Sequence, residues 1–158
     1  RFGEGAAILI GDLAFVYADQ LLPADRPGVA EFWDELRVEL NVGQYLDMLG
    51  TASRRFDRAS ARRIARYKSG RYTIERPLHL GATLAGGQDL VPALSGYGAP
   101  LGEAFQLRDD VLGAFGDAER TGKPVGDDLR EGKPTLLLAV AHERATGAQR
   151  ELLARVGH

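Results

Sequence analysis

Apolar residues in this chain recur at three- and four-residue steps and almost nowhere alternate, a pattern that commits it to helices. Over residues 2–22 the pattern runs through Ile8, Leu9, Leu13, Val16 and Leu21, and Pro23 stops it. A second helix is predicted over 29–49, ended by Gly50. A long helical tract follows over 56–84, with Pro77 predicted to kink it and Gly86 and Gly87 closing it. Another covers 88–115, with an interruption expected near 96–100. Residues 116–133 show little period and carry glycines at 116, 122, 126 and 132, so a structured loop is expected there. Pro134 suits the first turn of a helix ending at Arg144, and a last short helix starts near Gln149. No hairpin dipeptide separates two β-rich runs. The expected class is all-α.

Composition narrows the chemistry. The 158 residues suffice for one sizeable core. With no cysteine, the chain can build no disulfide framework, zinc ribbon, iron–sulfur site or thiol nucleophile. Twenty basic residues against 22 acidic ones exclude a uniformly basic nucleic-acid coat. The longest apolar run, LLLAVA at 136–141, is far too short to span a bilayer. No segment resembles a signal peptide, so a cytoplasmic location is expected. Charge is nevertheless uneven: nine bases against two acids over 54–76, and eight acids against four bases over 103–131. The basic tract reads as a solvated helix face or as a nucleic-acid stripe, with only Tyr67 and Tyr72 as stacking rings.

The acidic tract carries the sharper chemistry. In FQLRDDVLGAFGDAERTGKPVGDDLREGKPT, residues 105–135, Asp109 and Asp110 are neighbours on a helix, and Gln106 lies one turn before Asp110. Leu107, Val111 and Leu112 surround them, so a packed helix holds two repelling carboxylates, which a cation between them would relieve. Oxygen ligands without His or Cys point to Mg²⁺, which takes one or two carboxylates and leaves its other positions to water and phosphate. Lys123, in TGKP, is placed to meet a phosphate oxygen. Asp127 and Asp128 read either as helix caps paired with Arg130 or Lys133, or as a second acidic pair. Lys68-Ser69-Gly70 lies in the basic tract, where a mid-helix glycine allows close approach of a ligand or a neighbouring helix. Gln44 and Asp47 put a polar pair one turn apart on an otherwise apolar helix.

These elements together resemble the trans-isoprenyl diphosphate synthase (polyprenyl synthetase) family. FQLRDDVLG, followed by FGD and TGKPVGDDLREGKPT, resembles the family's second aspartate-rich region. Upstream, GAAILIGDLAFVYADQLL resembles its G-x-A-x-L-x-G-D-x-L helix, NVGQYLD its G-Q-x-x-D element and YKSGRYT its K-T-G element. ERPLHLG is similar to a variant of actinobacterial-type farnesyl and geranylgeranyl diphosphate synthases. The resemblance implies an antiparallel all-α bundle of the isoprenoid synthase type, present only in part, in a homodimer. It implies that Asp109 and Asp110 bind Mg²⁺ to the diphosphate of an allylic substrate, that Lys68, Ser69 and Lys123 hold that diphosphate, and that Gln106 orders the metal site. The partner substrate would be isopentenyl diphosphate. Gly113 stands where the family's D-D-x-x-D has its third aspartate, and Asp117 lies too far along to substitute. His79 and His142 need no catalytic role.

The family's first aspartate-rich motif has no counterpart here, so residues 1–158 are expected to be one incomplete domain comprising middle and later helices. Three functions are weighed: a prenyltransferase whose intact form is the enzyme, a non-catalytic partner subunit of a full-length synthase, and a helical nucleic-acid binder.

Overall fold

A computed structural model describes residues 2–54, 56–122 and 124–157. Every regular element among them is helical, in keeping with the expected class. Helix α1 spans Phe2–Gln20 and buries none of its residues. Helix α2 spans Val29–Ser53 and continues through Gly50 to a left-handed Arg54. Gly50 does not end it: the glycine lets α2 pass close to Pro134, whose Cγ would lie 2.7 Å from a Cβ there. Asp57 caps α3 (Arg58–Ala65), its side chain accepting from the Ser60 amide.

The expected long third tract changes its winding well before Pro77. Residues Arg66–Glu75 form a π-helix, and α4 (Arg76–Leu84) resumes regular geometry directly after it, with Pro77 in its first turn. The π segment lies between α2 and α5 (Val91–Phe115). A 3₁₀ turn, Gln88–Leu90, leads into α5. No break occurs at 96–100; Pro100 sits inside an unbroken helix. Tertiary contact overrides the local preference there, because Gly98 and Gly102 bring α5 onto the backbones of Glu75 and Gly70. A Cβ at 102 would stand 2.5 Å from the Gly70 oxygen, so two glycines face each other where the helices cross. Gly70 thus serves the approach of a neighbouring helix.

The expected loop contains two single turns, α6 (Ala118–Thr121), capped by Asp117, and α7 (Asp127–Arg130). Helix α8 (Leu136–Arg144) starts two residues past Pro134, which lies ahead of the helix and not in its first turn, because Thr135 is the N-cap and accepts from the Leu138 amide. Helix α9 (Ala148–Leu153) follows. Val29, Ala61, Ile64, Leu138, Ala139 and Ala145 are buried.

Beneath the π segment lies a buried ionic cluster. Arg76 donates to Glu39 through Nε and Nη2, at 2.8 and 2.7 Å, and to Glu35 at 2.6 Å. Arg71 also pairs with Glu39. His79 is fully buried, its Nε2 2.9 Å from the Ser95 hydroxyl and its ring edge-on to Phe32. His142 stacks on Phe56 at 4.5 Å. Both histidines therefore have structural surroundings. Among the described residues no helix is long and apolar enough to cross a membrane.

Candidate functional site

A cleft of about 620 Å³ opens where α3, the π segment, α5 and the α6–α7 loop meet. Into it project Lys68, Ser69, Gln106, Asp109 and Asp110, so residues as much as 42 positions apart share one wall. Lys123 lies outside the described residues. Of the polar pair on α2, Asp47 reaches the cleft and Gln44 stays exposed elsewhere.

Each side chain is held by the element that carries it. Helical spacing puts Gln106 one turn from Asp110, and its Nε2 donates to Asp110 Oδ1 at 2.7 Å. Lys68 leaves the π segment toward α2 and pairs with Asp47 at 2.5 Å. Lys133 donates to Asp128 at 2.8 Å and pairs with Glu131 at 3.0 Å. Arg130 pairs with Asp127. Asp127 and Asp128 thus take the ion-paired form anticipated for them, but neither caps α7, whose N-cap is Gly126.

The electrostatics of the cleft are lopsided. Its described lining holds six carboxylates (Asp47, Asp109, Asp110, Asp127, Asp128, Glu131) against three bases (Lys68, Arg120, Lys133). Burial pushes the Asp110 carboxyl up to about 6; the Gln106 hydrogen bond opposes this, while the charges of Asp128 and Asp109 add to it. Burial also works against the Lys133 ammonium, but hydrogen bonds to Asp128 and Glu131 hold it above its ordinary range.

This donor set suits a hard divalent cation. It is all oxygen, its excess charge is negative, and Asp110 carries an unfavourable buried charge that a cation would relieve. Among the described residues no three carboxylates or imidazoles converge into a cage of their own. Magnesium does not require one, because it keeps several waters and shares itself with phosphate oxygens.

Sequence reasoning did not assign three features of this cleft. The Lys68–Asp47 pair could have been sought in the polar doublet on α2. Arg120 gave no signal beyond charge. The placement of Asp128 Oδ2 against Gly113, 2.9 Å from where a Cβ would be, had none, because it joins two segments through a turn.

An all-helical fold with an oxygen-lined cleft and a lysine on its wall suits a hard cation together with an anionic ligand. The chain is a member of the polyprenyl synthetase family, whose model matches residues 1–157. It is 34% identical to a geranylfarnesyl diphosphate synthase of Aeropyrum pernix, over 99% of this chain and 51% of that protein. It is 34% identical to a farnesyl diphosphate synthase of Escherichia coli, over 97% of this chain and 55% of that protein. Among solved structures, geranylgeranyl pyrophosphate synthase from Corynebacterium glutamicum, complexed with isoprenyl diphosphate and magnesium, superposes with a TM-score of 0.91 at 43% identity. That match covers 99% of this chain and 47% of the other. The chain spans about half the length of the relatives it matches.

Proposed function

We propose that this chain forms one wall of the active site of a polyprenyl diphosphate synthase of the farnesyl or geranylgeranyl type, which joins an allylic diphosphate to isopentenyl diphosphate. The observation that carries the reading is the cleft's charge: among the described lining residues six carboxylates face three bases, an excess that disfavours a bare diphosphate and favours one that arrives with cations. Family membership and the magnesium-bound relative support the same reading.

In this reading Asp109 and Asp110 hold Mg²⁺, and Gln106 fixes the orientation of Asp110. Magnesium, when bound, supplies positive charge that draws electron density onto the departing diphosphate. Lys68 and Lys123 meet the diphosphate oxygens, and Ser69 adds a hydroxyl beside Lys68. As the allylic C–O bond breaks, Lys68 stabilises the charge growing on the leaving group without reorganising, because Asp47 and the π segment already hold it in place. The double bond of isopentenyl diphosphate attacks the allylic cation, and loss of a proton restores neutrality. No side chain need form a covalent bond, which agrees with a cysteine-free chain. The intact protein is assigned as a cytoplasmic homodimer with no nucleic-acid partner.

The partner-subunit alternative gives no reason for Asp109, Asp110, Gln106 and Lys68 to meet in one cleft. The nucleic-acid alternative has a weaker basis, because Arg58 pairs with Glu143, Arg62 with Glu103 and Arg71 with Glu39, which neutralises part of the basic tract. The test is condensation of an allylic diphosphate with isopentenyl diphosphate by the intact protein. Asp109→Ala and Asp110→Ala should each lower turnover by orders of magnitude; unchanged turnover in both would refute the assignment.

A further inference from the structure

Glu39, Gly43 and Asp47 follow one another at four-residue steps on α2 and so form one stripe of that helix. The stripe runs along the π segment like a rail. Asp47 takes the Lys68 ammonium, Gly43 lies against the backbone of Tyr67 and Lys68, and Glu39 pairs with both Arg71 and Arg76. The last of these contacts depends on how the segment is wound. In a π-helix each amide bonds to the carbonyl five residues back, and the Arg76 amide donates to the Arg71 carbonyl in this way. That bond stacks the two residues one above the other, so both guanidinium groups reach a single carboxylate. In an α-helix, residues five apart point about 140° away from each other, and one carboxylate could not hold both. Arg71 is also 3.4 Å from Glu75 through its Nε and lies over the ring of Tyr67, the residue before Lys68.

We propose that Glu39, by gripping Arg71 and Arg76 together, sets the π winding and with it the direction in which Lys68 leaves the helix, which makes Glu39 a positioning residue for that lysine. The proposal rests on the reading of Lys68 as a diphosphate-holding group and adds what aims it. π winding ordinarily lasts a single turn, so a ten-residue stretch needs a partner outside itself to maintain it. The glycine contacts at 43 and 70 admit the segment between α2 and α5. The charge-assisted pairs to Glu39 are directional, and they fix its rotation. Were the winding to relax toward the α form, Lys68 would turn about the helix axis relative to Arg76 and leave the line of Asp47 and the cleft.

The experiment measures binding of inorganic pyrophosphate with Mg²⁺ to the intact protein by calorimetry, with urea midpoints recorded for the same variants. Lys68→Gln should weaken binding by about tenfold or more. Glu39→Gln and Arg71→Met should each weaken it in the same direction, although neither residue reaches the cleft. Arg71→Met leaves Glu39 paired with Arg76, so it carries the test if Glu39→Gln does not fold. The double variant R71M/K68Q should bind no more weakly than K68Q alone, because Arg71 acts through the lysine. Val29→Ala, in the buried first turn of α2, should lower the midpoint and leave pyrophosphate affinity unchanged, which separates aim from stability. If K68Q loses affinity while R71M and E39Q bind as wild type does, the positioning role is refuted and the reading of Lys68 stands. If K68Q binds normally, that reading fails and the proposal falls with it. Multiplied losses in the double variant, or an equal loss in V29A, would also overturn it.

Discussion

The backbone of Gly43 on α2 lies directly against that of Lys68: a Cβ at position 43 would stand 2.4 Å from the Lys68 amide nitrogen. This contact sets how deeply the π segment sinks between α2 and α5, and with it the reach of Lys68 into the cleft. One turn along α2, Asp47 takes the lysine's ammonium at 2.5 Å. One helix therefore fixes both ends of the residue proposed to hold the diphosphate.

Gly43→Ala should destabilise the protein, because the clashing atoms are backbone and cannot rotate aside. Overpacking of this kind costs about 1–3 kcal/mol. Urea unfolding reads the change as a lowered midpoint with an unaltered slope. An unchanged midpoint would show that the two helices do not depend on this contact.

Glu39 is the shared acceptor of two arginines, Arg71 and Arg76, and its side chain is 11% exposed. Glu39→Gln leaves both guanidinium groups short of a buried counter-charge, with Glu35 and Glu75 as incomplete substitutes. Breaking a buried pair from one side costs about 3–5 kcal/mol, and the remaining acids place this variant near the lower end. Thermal and urea unfolding should agree on the loss. A variant as stable as wild type would mean that water or the neighbouring acids fully compensate the arginines.

Stability should fall on mild acidification through His79. Burial, and then the positive charge of Arg76, lower its pKa below the ordinary 6.5. Below pH 6.5 the unfolded chain takes up a proton that the folded imidazole still refuses, so the His79 contribution is complete above 6.5 and declines as the pH drops beneath it. Asp110, raised to about 6, contributes the opposite slope in this window, so the His79 effect is read as a difference: between pH 8 and 5.5 the urea midpoint of wild type should lose ground relative to that of His79→Asn. An equal slope in both proteins would assign the acid sensitivity to other groups.

Pyrophosphate binding should require a divalent cation. In the presence of EDTA the excess of carboxylates in the cleft should reduce binding of inorganic pyrophosphate at least tenfold, and Mg²⁺ should restore it. Calorimetry distinguishes this from the opposite result, equal binding with and without chelator. That result would make the lysines alone sufficient.

The helices, and most of their ends, were legible in the sequence because they follow from neighbours along the chain. Apolar spacing placed α1, α2 and the tract that becomes α5. The chemistry of the cleft was legible for the same local reason. Asp109, Asp110 and Gln106 lie within five residues, and a helix puts Gln106 and Asp110 on one face whatever surrounds it. Local rules misplaced the breaks expected at Gly50 and at 96–100, because α2 and α5 are held through those points by packing against residues far away in the chain.

Sequence by itself thus determined an all-helical chain with a carboxylate doublet suited to Mg²⁺ and a lysine suited to phosphate. Only the tertiary structure decided what the glycines inside the helices do. Gly43 admits the backbone of Lys68, Gly70 and Gly102 let two helices meet at backbone distance, and Gly113 receives Asp128. The physical reason is that a glycine's value here is the space it leaves. Which atoms fill that space depends on segments brought together by the fold, and spacing along the chain carries no record of it.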